Sequence, residues 1–176
     1  HVTITNGVGT AVSLAGSGRT VSMTSAGILT VTATTVIATT AGSSGYAIYN
    51  ESTGATHVIT GNINDLGIGS AYVQDEDAET CTFTGLITAT QSAGSAPGSF
   101  CVLVSAGTLN IVATGANEMF SGTNGKMTLR IYGTGTANLK GTVTLASDAF
   151  IYMSGGTLRF GTDNAAGKFT LNVSAG

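Results

Sequence analysis

The stretch TLRIYGTGTANLKGTVTLASDAFIYMSGGTLRF, residues 128–160, begins and ends on Thr-Leu-Arg and an apolar residue, with Thr-Val-Thr-Leu between. Similar segments start at Thr108 and Thr170, and the steps between successive copies are unequal. Because side chains alternate along a strand, the apolar residues of each copy share one face. The repeat therefore predicts a buried two-residue stripe, restated in Leu109 with Ile111, Leu129 with Ile131, Val143 with Leu145, Leu158 with Phe160, and Leu171 with Val173.

The composition predicts an all-β protein. Gly, Thr and Ser supply 72 of the 176 residues, whereas only 15 are Asp, Glu, Lys or Arg. Thr and Val suit a pleated sheet, and the chain is poor in the Lys and Glu that favour helices. Runs that alternate apolar residues with Thr or Ser, such as THVIT at 56–60 and FCVLVS at 100–105, are separated by Gly, Asn or Asp. This pattern is typical of strands and turns.

Two architectures fit this pattern. In a β-solenoid, each coil stacks its inward pair on the coil below, and Gly-rich corners turn the chain. In a β-sandwich or jelly roll, the same strands pair as hairpins. For residues 105–176 the segments AGTL, GTVTL, GGTL and GKFTL favour the solenoid, and for residues 1–100 both architectures stay open. The length predicts one domain over 1–176, with two lobes, 1–100 and 101–176, as the alternative.

The strand repeats of residues 105–176 are rich in Gly, Thr, Ser and Asn, with small turns and few charges. They resemble the β-helical segments of secreted adhesins and of phage fibre or capsid-surface proteins. The resemblance implies a non-enzymatic structural protein of an extracellular, cell or virion surface that acts through self-assembly. Its partners would be copies of itself, other surface or capsid proteins, or glycans. The alternative from another class is a carbohydrate-binding or carbohydrate-active β-helix.

The charge pattern argues against a nucleic-acid partner. The net charge is −3, and the six basic residues form no cluster: Arg19, Lys126, Arg130, Lys140, Arg159 and Lys168. No run of 18 apolar residues occurs, so the sequence predicts no membrane span. Residues 1–50 contain one charged side chain, that of Arg19, which suggests a segment that pairs with a neighbouring subunit. The first residue, His1, is interpreted as a processed or excised start.

One acidic segment is a candidate metal site. QDEDAET at 74–80 holds Asp75, Asp77 and Glu79 in alternation, and carboxylate oxygens are the ligands that Ca²⁺ prefers. The segment lacks the glycine and the final glutamate of an EF-hand loop, whose places hold Thr80 and Leu86. The competing interpretation is a solvated loop that keeps a weakly charged surface soluble. No other cofactor is predicted.

The two cysteines, Cys81 and Cys101, each lie in a predicted strand. A disulfide between them would suit an extracellular protein. The equal alternative is two small buried hydrophobic side chains, because spacing alone does not establish disulfide geometry.

No catalytic residue is predicted. His1 and His57 are the only histidines, and no Gly-x-Ser-x-Gly motif occurs. Arg130 and Arg159 occupy equivalent places in two copies of the repeat, and Asn110 and Asn172 in two others, which predicts a polar ladder on one outer face if the coils stack. Asn50 and Asn172 each match the N-glycosylation acceptor pattern.

Overall fold

The chain folds as a β-solenoid. The computed structural model describes residues 2–24, 27–90, 100–112, 120–123, 127–140, 142–145, 151–160 and 170–173. Every regular element in these ranges is a strand, and the strands form two wholly parallel sheets. The all-β prediction is confirmed, and the solenoid alternative holds for both halves of the chain. A sandwich or jelly roll would require antiparallel pairs, whereas each strand here pairs with a strand one coil away.

The larger sheet has eleven strands. These are β1 (Val2–Leu14), β3 (Leu29–Thr39), β5 (Thr56–Asp65), β7 (Thr80–Thr84), β8 (Ile87–Thr90), β10 (Thr108–Val112), β11 (Phe120–Thr123), β13 (Thr136–Lys140), β14 (Thr142–Leu145), β16 (Thr157–Phe160) and β17 (Thr170–Val173).

The smaller sheet has six strands, in the order β15-β12-β9-β6-β4-β2. They are β2 (Arg19–Thr24), β4 (Tyr46–Glu51), β6 (Ser70–Gln74), β9 (Phe100–Val104), β12 (Met127–Ile131) and β15 (Ile151–Met153). The chain passes from one sheet to the other and back in each coil, so the two sheets face each other across the core.

The true repeat is longer than the repeat in the sequence. Thr136 pairs with Thr157 and Ile87 with Phe120, so one coil takes more chain than the step between successive Thr-Leu copies. Those copies come from both sheets. Thr128 lies in the smaller sheet, for example, whereas Thr108 lies in the larger one.

The larger sheet divides at β5. The first half of β5 pairs with β7 and the second half with β8, so one long strand is followed by two short ones. Gly61 and Gly85 stack at this bend with φ of 136° and 155°. A Cβ atom on Gly85 would lie 2.0 Å from the Gly61 carbonyl oxygen, so glycine is required for the coils to approach here.

The core lies between the two sheets and consists mostly of aliphatic side chains. Leu109, Ile111, Leu129 and Ile131 are at most 1% exposed, which confirms the predicted stripe in two of its copies. The prediction is wrong for Phe160, which is 47% exposed, because β16 is the last strand described in its branch of the sheet. The side chains of Val143, Leu145, Leu171 and Val173 lie outside the described part of the structure.

Both sheets continue across residue 100, since β6 pairs with β9 and β7 with β10. Within the described ranges, no helix has the length and apolar character needed to cross a membrane.

Candidate functional site

The acidic segment forms a corner between β6 and β7, here called the acidic corner (residues 75–79). Its predicted ligands point in three directions. Asp75 accepts hydrogen bonds from the Tyr49 hydroxyl (3.0 Å) and from the Ser105 hydroxyl. Asp77 accepts one from the Thr134 hydroxyl (2.6 Å), and Glu79 turns into the core, where it is 1% exposed.

The geometry does not support the calcium site predicted at Asp75, Asp77 and Glu79. Across the described ranges, no three His, Cys, Asp or Glu side chains converge as a metal site would require. Asp75 and Asp77 bond to hydroxyl groups of other coils, whereas Glu79 turns inward to Asn50. The three carboxylates therefore do not face a common point. The solvated-loop alternative fits Asp77, which is exposed, and fails for Glu79.

A buried polar network surrounds Glu79. The Asn50 amide donates to Glu79 Oε1 and to the Tyr72 hydroxyl (3.3 Å), and the Ser52 hydroxyl donates to Asn50 Oδ1 (2.9 Å). The Tyr72 hydroxyl donates in turn to Gln74 Oε1 (3.1 Å). These groups join the ends of β4 and β6 to the acidic corner, so the network fixes how the two coils turn from the smaller sheet into the larger one.

His57 lies at the far side of this network and is uncharged. Its Nδ1 accepts the Leu29 backbone N–H (3.0 Å), so its single proton is assigned to Nε2, which lies 3.6 Å from Glu79 Oε1. Burial lowers the pKa of His57 and raises the pKa of Glu79 to about 9. The pair is therefore neutral at pH 7, and the contact is not an ion pair. His57 Nε2 and Glu79 Oε2 have no hydrogen-bond partner among the described groups.

This cluster holds residue types found in catalytic sites, but it is closed. His57, Ser52 and Glu79 are at most 1% exposed. A substrate would reach them only if the corner opened, and the backbone bonds from Thr80 to Ala55 and from Thr108 to Glu79 hold that corner in place. In the folded chain, this cluster stabilises a neutral, hydrogen-bonded corner inside the solenoid.

Cys81 and Cys101 are fully buried and are not joined in a disulfide. Cys81 lies on β7 of the larger sheet and Cys101 on β9 of the smaller sheet, and both join the hydrophobic core. The structure therefore agrees with the second predicted alternative, two small buried hydrophobic side chains, and contains no disulfide between them. Burial raises the pKa of the Cys81 thiol to about 12, so it is neutral and unreactive at pH 7.

The outer face of the smaller sheet carries most of the tyrosines. Tyr46 and Tyr49 on β4 are both half-buried, with ring centroids 5.3 Å apart, and the Arg19 guanidinium lies near both rings. The Arg19 guanidinium lies 3.5 Å from the Tyr49 ring centroid and 3.6 Å from a Glu51 carboxylate oxygen. We call Arg19, Tyr46, Tyr49 and Glu51 the Arg19 cluster.

A second cluster lies at the other end of this face. The Arg130 guanidinium is 5.5 Å from the Phe100 ring centroid, 5.4 Å from that of Tyr132 and 5.8 Å from that of Tyr152. Within the described ranges, no carboxylate lies within ion-pair distance of Arg130. We call Arg130, Phe100, Tyr132 and Tyr152 the Arg130 cluster.

The predicted ladder of arginines and asparagines is wrong in one respect. Arg130 is on β12 of the smaller sheet and Arg159 on β16 of the larger sheet, so the two do not share a face. Asn110, Asn138 and Arg159 do stand in register across β10, β13 and β16, and the Asn138 amide donates to Asn110 Oδ1 (2.9 Å). The cause is the mixed origin of the Thr-Leu copies, which come from both sheets.

The two glycosylation patterns differ in what the structure says of them. Asn50 is fully buried and hydrogen-bonded, so the folded chain does not offer it to a glycosylating enzyme. The Asn172 pattern lies outside the residues whose side chains are described, as does His1.

No family model matches the chain, and no match is found among curated proteins or solved structures. The functional argument therefore depends on the geometry of the chain itself.

The aromatic face was not predicted from the sequence. The sequence does carry a signal for this face, but only at the spacing of one full coil. At that spacing, one row of the smaller sheet contains Tyr49, Val73, Leu103, Arg130 and Tyr152. Because these residues are unevenly spaced along the chain, the row is visible only when the sequence is aligned coil by coil.

Proposed function

We propose that this chain is a non-enzymatic structural subunit of an extracellular, cell or virion surface, which assembles end to end with copies of itself. The observation that carries this proposal is the open parallel stack. In the described ranges, β1 and β2 at one end, and β15, β16 and β17 at the other, each pair with a strand on one side only.

The first strand favours addition of another chain. β1 has 13 residues, VTITNGVGTAVSL, and contains no charged residue and no proline. Edge strands that stay single in solution are short, or carry Lys or Pro, because a long neutral edge is a template for another strand. The end of one parallel stack presents donors and acceptors in the spacing that the start of another stack requires.

The other end offers an apolar surface. Met153 on β15 and Phe160 on β16 are 42% and 47% exposed, whereas their register partners one coil further in, Ile131 and Leu139, are fully buried. Contact between unlike ends is heterologous, and it repeats without closing unless a rotation makes a ring. This geometry favours a filament or fibre.

Two further observations support the proposal. His57, Ser52 and Glu79 are buried, and Ser52 and Glu79 both bond to Asn50, which suits a structural corner better than turnover. The surface location rests on the resemblance of residues 105–176 to β-helical segments of adhesins and phage surface proteins.

The test places a charge on the edge strand. Thr5 on β1 is exposed, and its register partner Thr32 on β3, one coil further in, is also exposed. We expect the unaltered chain to form oligomers or filaments in light scattering and negative-stain images, because β1 is open to a second chain. Thr5→Lys should suppress assembly, since a lysine at an edge opposes strand addition.

Thr32→Lys is the matched control, because it adds the same charge away from the end. It should leave assembly unchanged. A monodisperse monomer for the unaltered chain at high concentration, or equal effects of the two substitutions, would contradict the proposal.

A further inference from the structure

We propose that the Arg130 cluster binds the carboxylate-bearing sugars of an acidic polysaccharide. This site lies on the outer face of the smaller sheet, where Phe100 on β9 and Arg130 on β12 meet Tyr152 on β15, the last strand of that sheet. The argument starts from a comparison of the two arginine clusters on that face.

In the Arg19 cluster, the guanidinium already has an aromatic ring and a carboxylate beside it. The Arg19 guanidinium is in contact with the Tyr49 ring at 3.5 Å from its centroid, and Glu51 supplies a carboxylate at 3.6 Å. The Tyr49 hydroxyl donates to Asp75, so the acidic corner adds a second negative group nearby. The positive charge of Arg19 is therefore paired with a carboxylate of the same cluster.

In the Arg130 cluster, the residues that the structure describes place no carboxylate beside the guanidinium. Three rings surround the guanidinium at 5.4 to 5.8 Å, but none is as close as Tyr49 is to Arg19. Asp77, the acidic-corner residue that reaches this part of the stack, is hydrogen-bonded to Thr134. Arg130 Nε is buried without a partner among the described groups, which leaves a donor unsatisfied. A half-buried guanidinium among aromatic rings is a site prepared for an external carboxylate.

The rings favour a sugar over other anions. Tyr152 is 43% exposed and stands directly beside Arg130 in the strand register. An uronic acid carries a carboxylate for the guanidinium fork and an apolar C–H face that can lie against an aromatic ring. An open outer face of a sheet, rather than a closed pocket, suits a chain of such sugars.

The test measures binding of short oligomers of galacturonic acid by calorimetry at low salt. The methyl ester of the same oligomer is the control ligand, since it keeps the sugar ring and removes the charge. We expect the acid to bind and the ester to bind at least about tenfold more weakly, as for loss of a charge-assisted hydrogen bond. Absence of binding, or equal binding of acid and ester, would overturn the proposal.

Two arginine variants locate the site. Arg130→Gln should reduce the affinity by about tenfold or more, whereas Arg19→Gln, which alters the cluster that already has its own carboxylate, should change it little. Unchanged affinity in Arg130→Gln, or an equal loss in both variants, would contradict the assignment.

Two further comparisons keep the outcome decisive. If Arg130→Gln fails to fold, Tyr152→Leu at an exposed position serves instead, and it should weaken binding by removing the sugar platform. Poly-L-glutamate bound as tightly as the galacturonate oligomer would show that any polyanion suffices, an acidic peptide included, and would overturn the sugar assignment.

Discussion

At the scale of single residues, the most unusual group is the Glu79 carboxyl. It is an acid buried in a corner whose other members, Asn50, Tyr72 and His57, are neutral. Asp75 and Glu76 on the same corner raise its pKa further, so Glu79 remains protonated at pH 7. A buried acid that keeps its proton avoids the cost of an unpaired buried charge.

This predicts how stability depends on pH. Between 4.5, the ordinary pKa of Glu79, and about 9, its folded value, the folded chain binds more protons than the unfolded chain, so the free energy of unfolding falls as pH rises. The lowered pKa of His57 acts in the opposite direction, but only below 6.5. From pH 6.5 towards 9, the slope should therefore be negative, up to about 1.4 kcal/mol per pH unit.

Glu79→Gln should flatten this slope, because glutamine is neutral at every pH and can still accept from Asn50. The measurement is urea unfolding at several pH values in that range. Asp77→Asn, in the same corner and exposed, is the control and should keep the slope, because Asp77 is not among the groups that shift the pKa of Glu79. Equal slopes in the two variants would show that another group carries the pH dependence.

At the scale of elements, the turns between strands depend on individual glycines. Gly107, between β9 and β10, has φ of 68°, and a Cβ there would lie 2.4 Å from the Glu76 carbonyl oxygen and 2.6 Å from that of Glu79. Gly54, between β4 and β5, has nearly the same φ, 69°, but open space around it. An alanine at Gly54 would meet backbone strain alone, whereas an alanine at Gly107 would meet the same strain and a steric conflict.

Gly54→Ala should cost about 1 to 2 kcal/mol in the free energy of unfolding, the penalty of a left-handed alanine. Gly107→Ala should cost about 1 to 3 kcal/mol more, because two carbonyl groups of the acidic corner must also move. Urea unfolding of both variants beside the unaltered chain checks this difference. Equal losses would mean that the corner gives way freely around a new methyl group.

The strands themselves were largely predictable from the sequence. ILTVTATTVIATT at 28–40 becomes β3, Leu29–Thr39, because β-branched residues and a period of two identify a strand locally. Strand partners were harder to predict, since pairing joins residues as far apart in the chain as Ile87 and Phe120, with no local signal of parallel or antiparallel order. For residues 1–100 the choice between solenoid and sandwich therefore stayed open.

The site was less predictable than the strands. The sequence singles out Asp75, Asp77 and Glu79 as a group, but the direction of each carboxylate depends on where the strand ends and the corner begins. The burial of Glu79 follows from its position immediately before β7, and the Arg130 cluster follows from the register between coils. Both features depend on contacts between distant parts of the chain, and neither produces a recognisable motif in the sequence.

At the scale of the whole molecule, the two ends of the stack are unlike, and end-to-end assembly makes a prediction from that difference. Thr5→Lys blocks the β1 end, and Met153→Lys places a charge on the exposed apolar residue of β15 at the other end. Each variant alone should remain a monomer. Mixed in equal amounts, they should form a dimer and nothing larger, because each retains the end that the other lacks.

Light scattering of the mixture against each variant alone measures this. A mixture that stays monomeric would indicate that the ends do not meet, and filaments in the mixture would indicate contact through the sides of the stack instead.

The acidic corner also governs how the molecule bears tension. In a parallel stack pulled along its axis, the hydrogen-bond rows between coils carry the load one after another, so the weakest row opens first. Asp75 bonds to Tyr49 on one side and Ser105 on the other, and Asp77 reaches past the 105–107 turn to Thr134. These side-chain bonds lie beside the rows of backbone hydrogen bonds from β4 to the turn after β12. The side-chain bonds and the backbone bonds therefore bear the load together. Under a pull, the coils outside this span should separate before the coils within it.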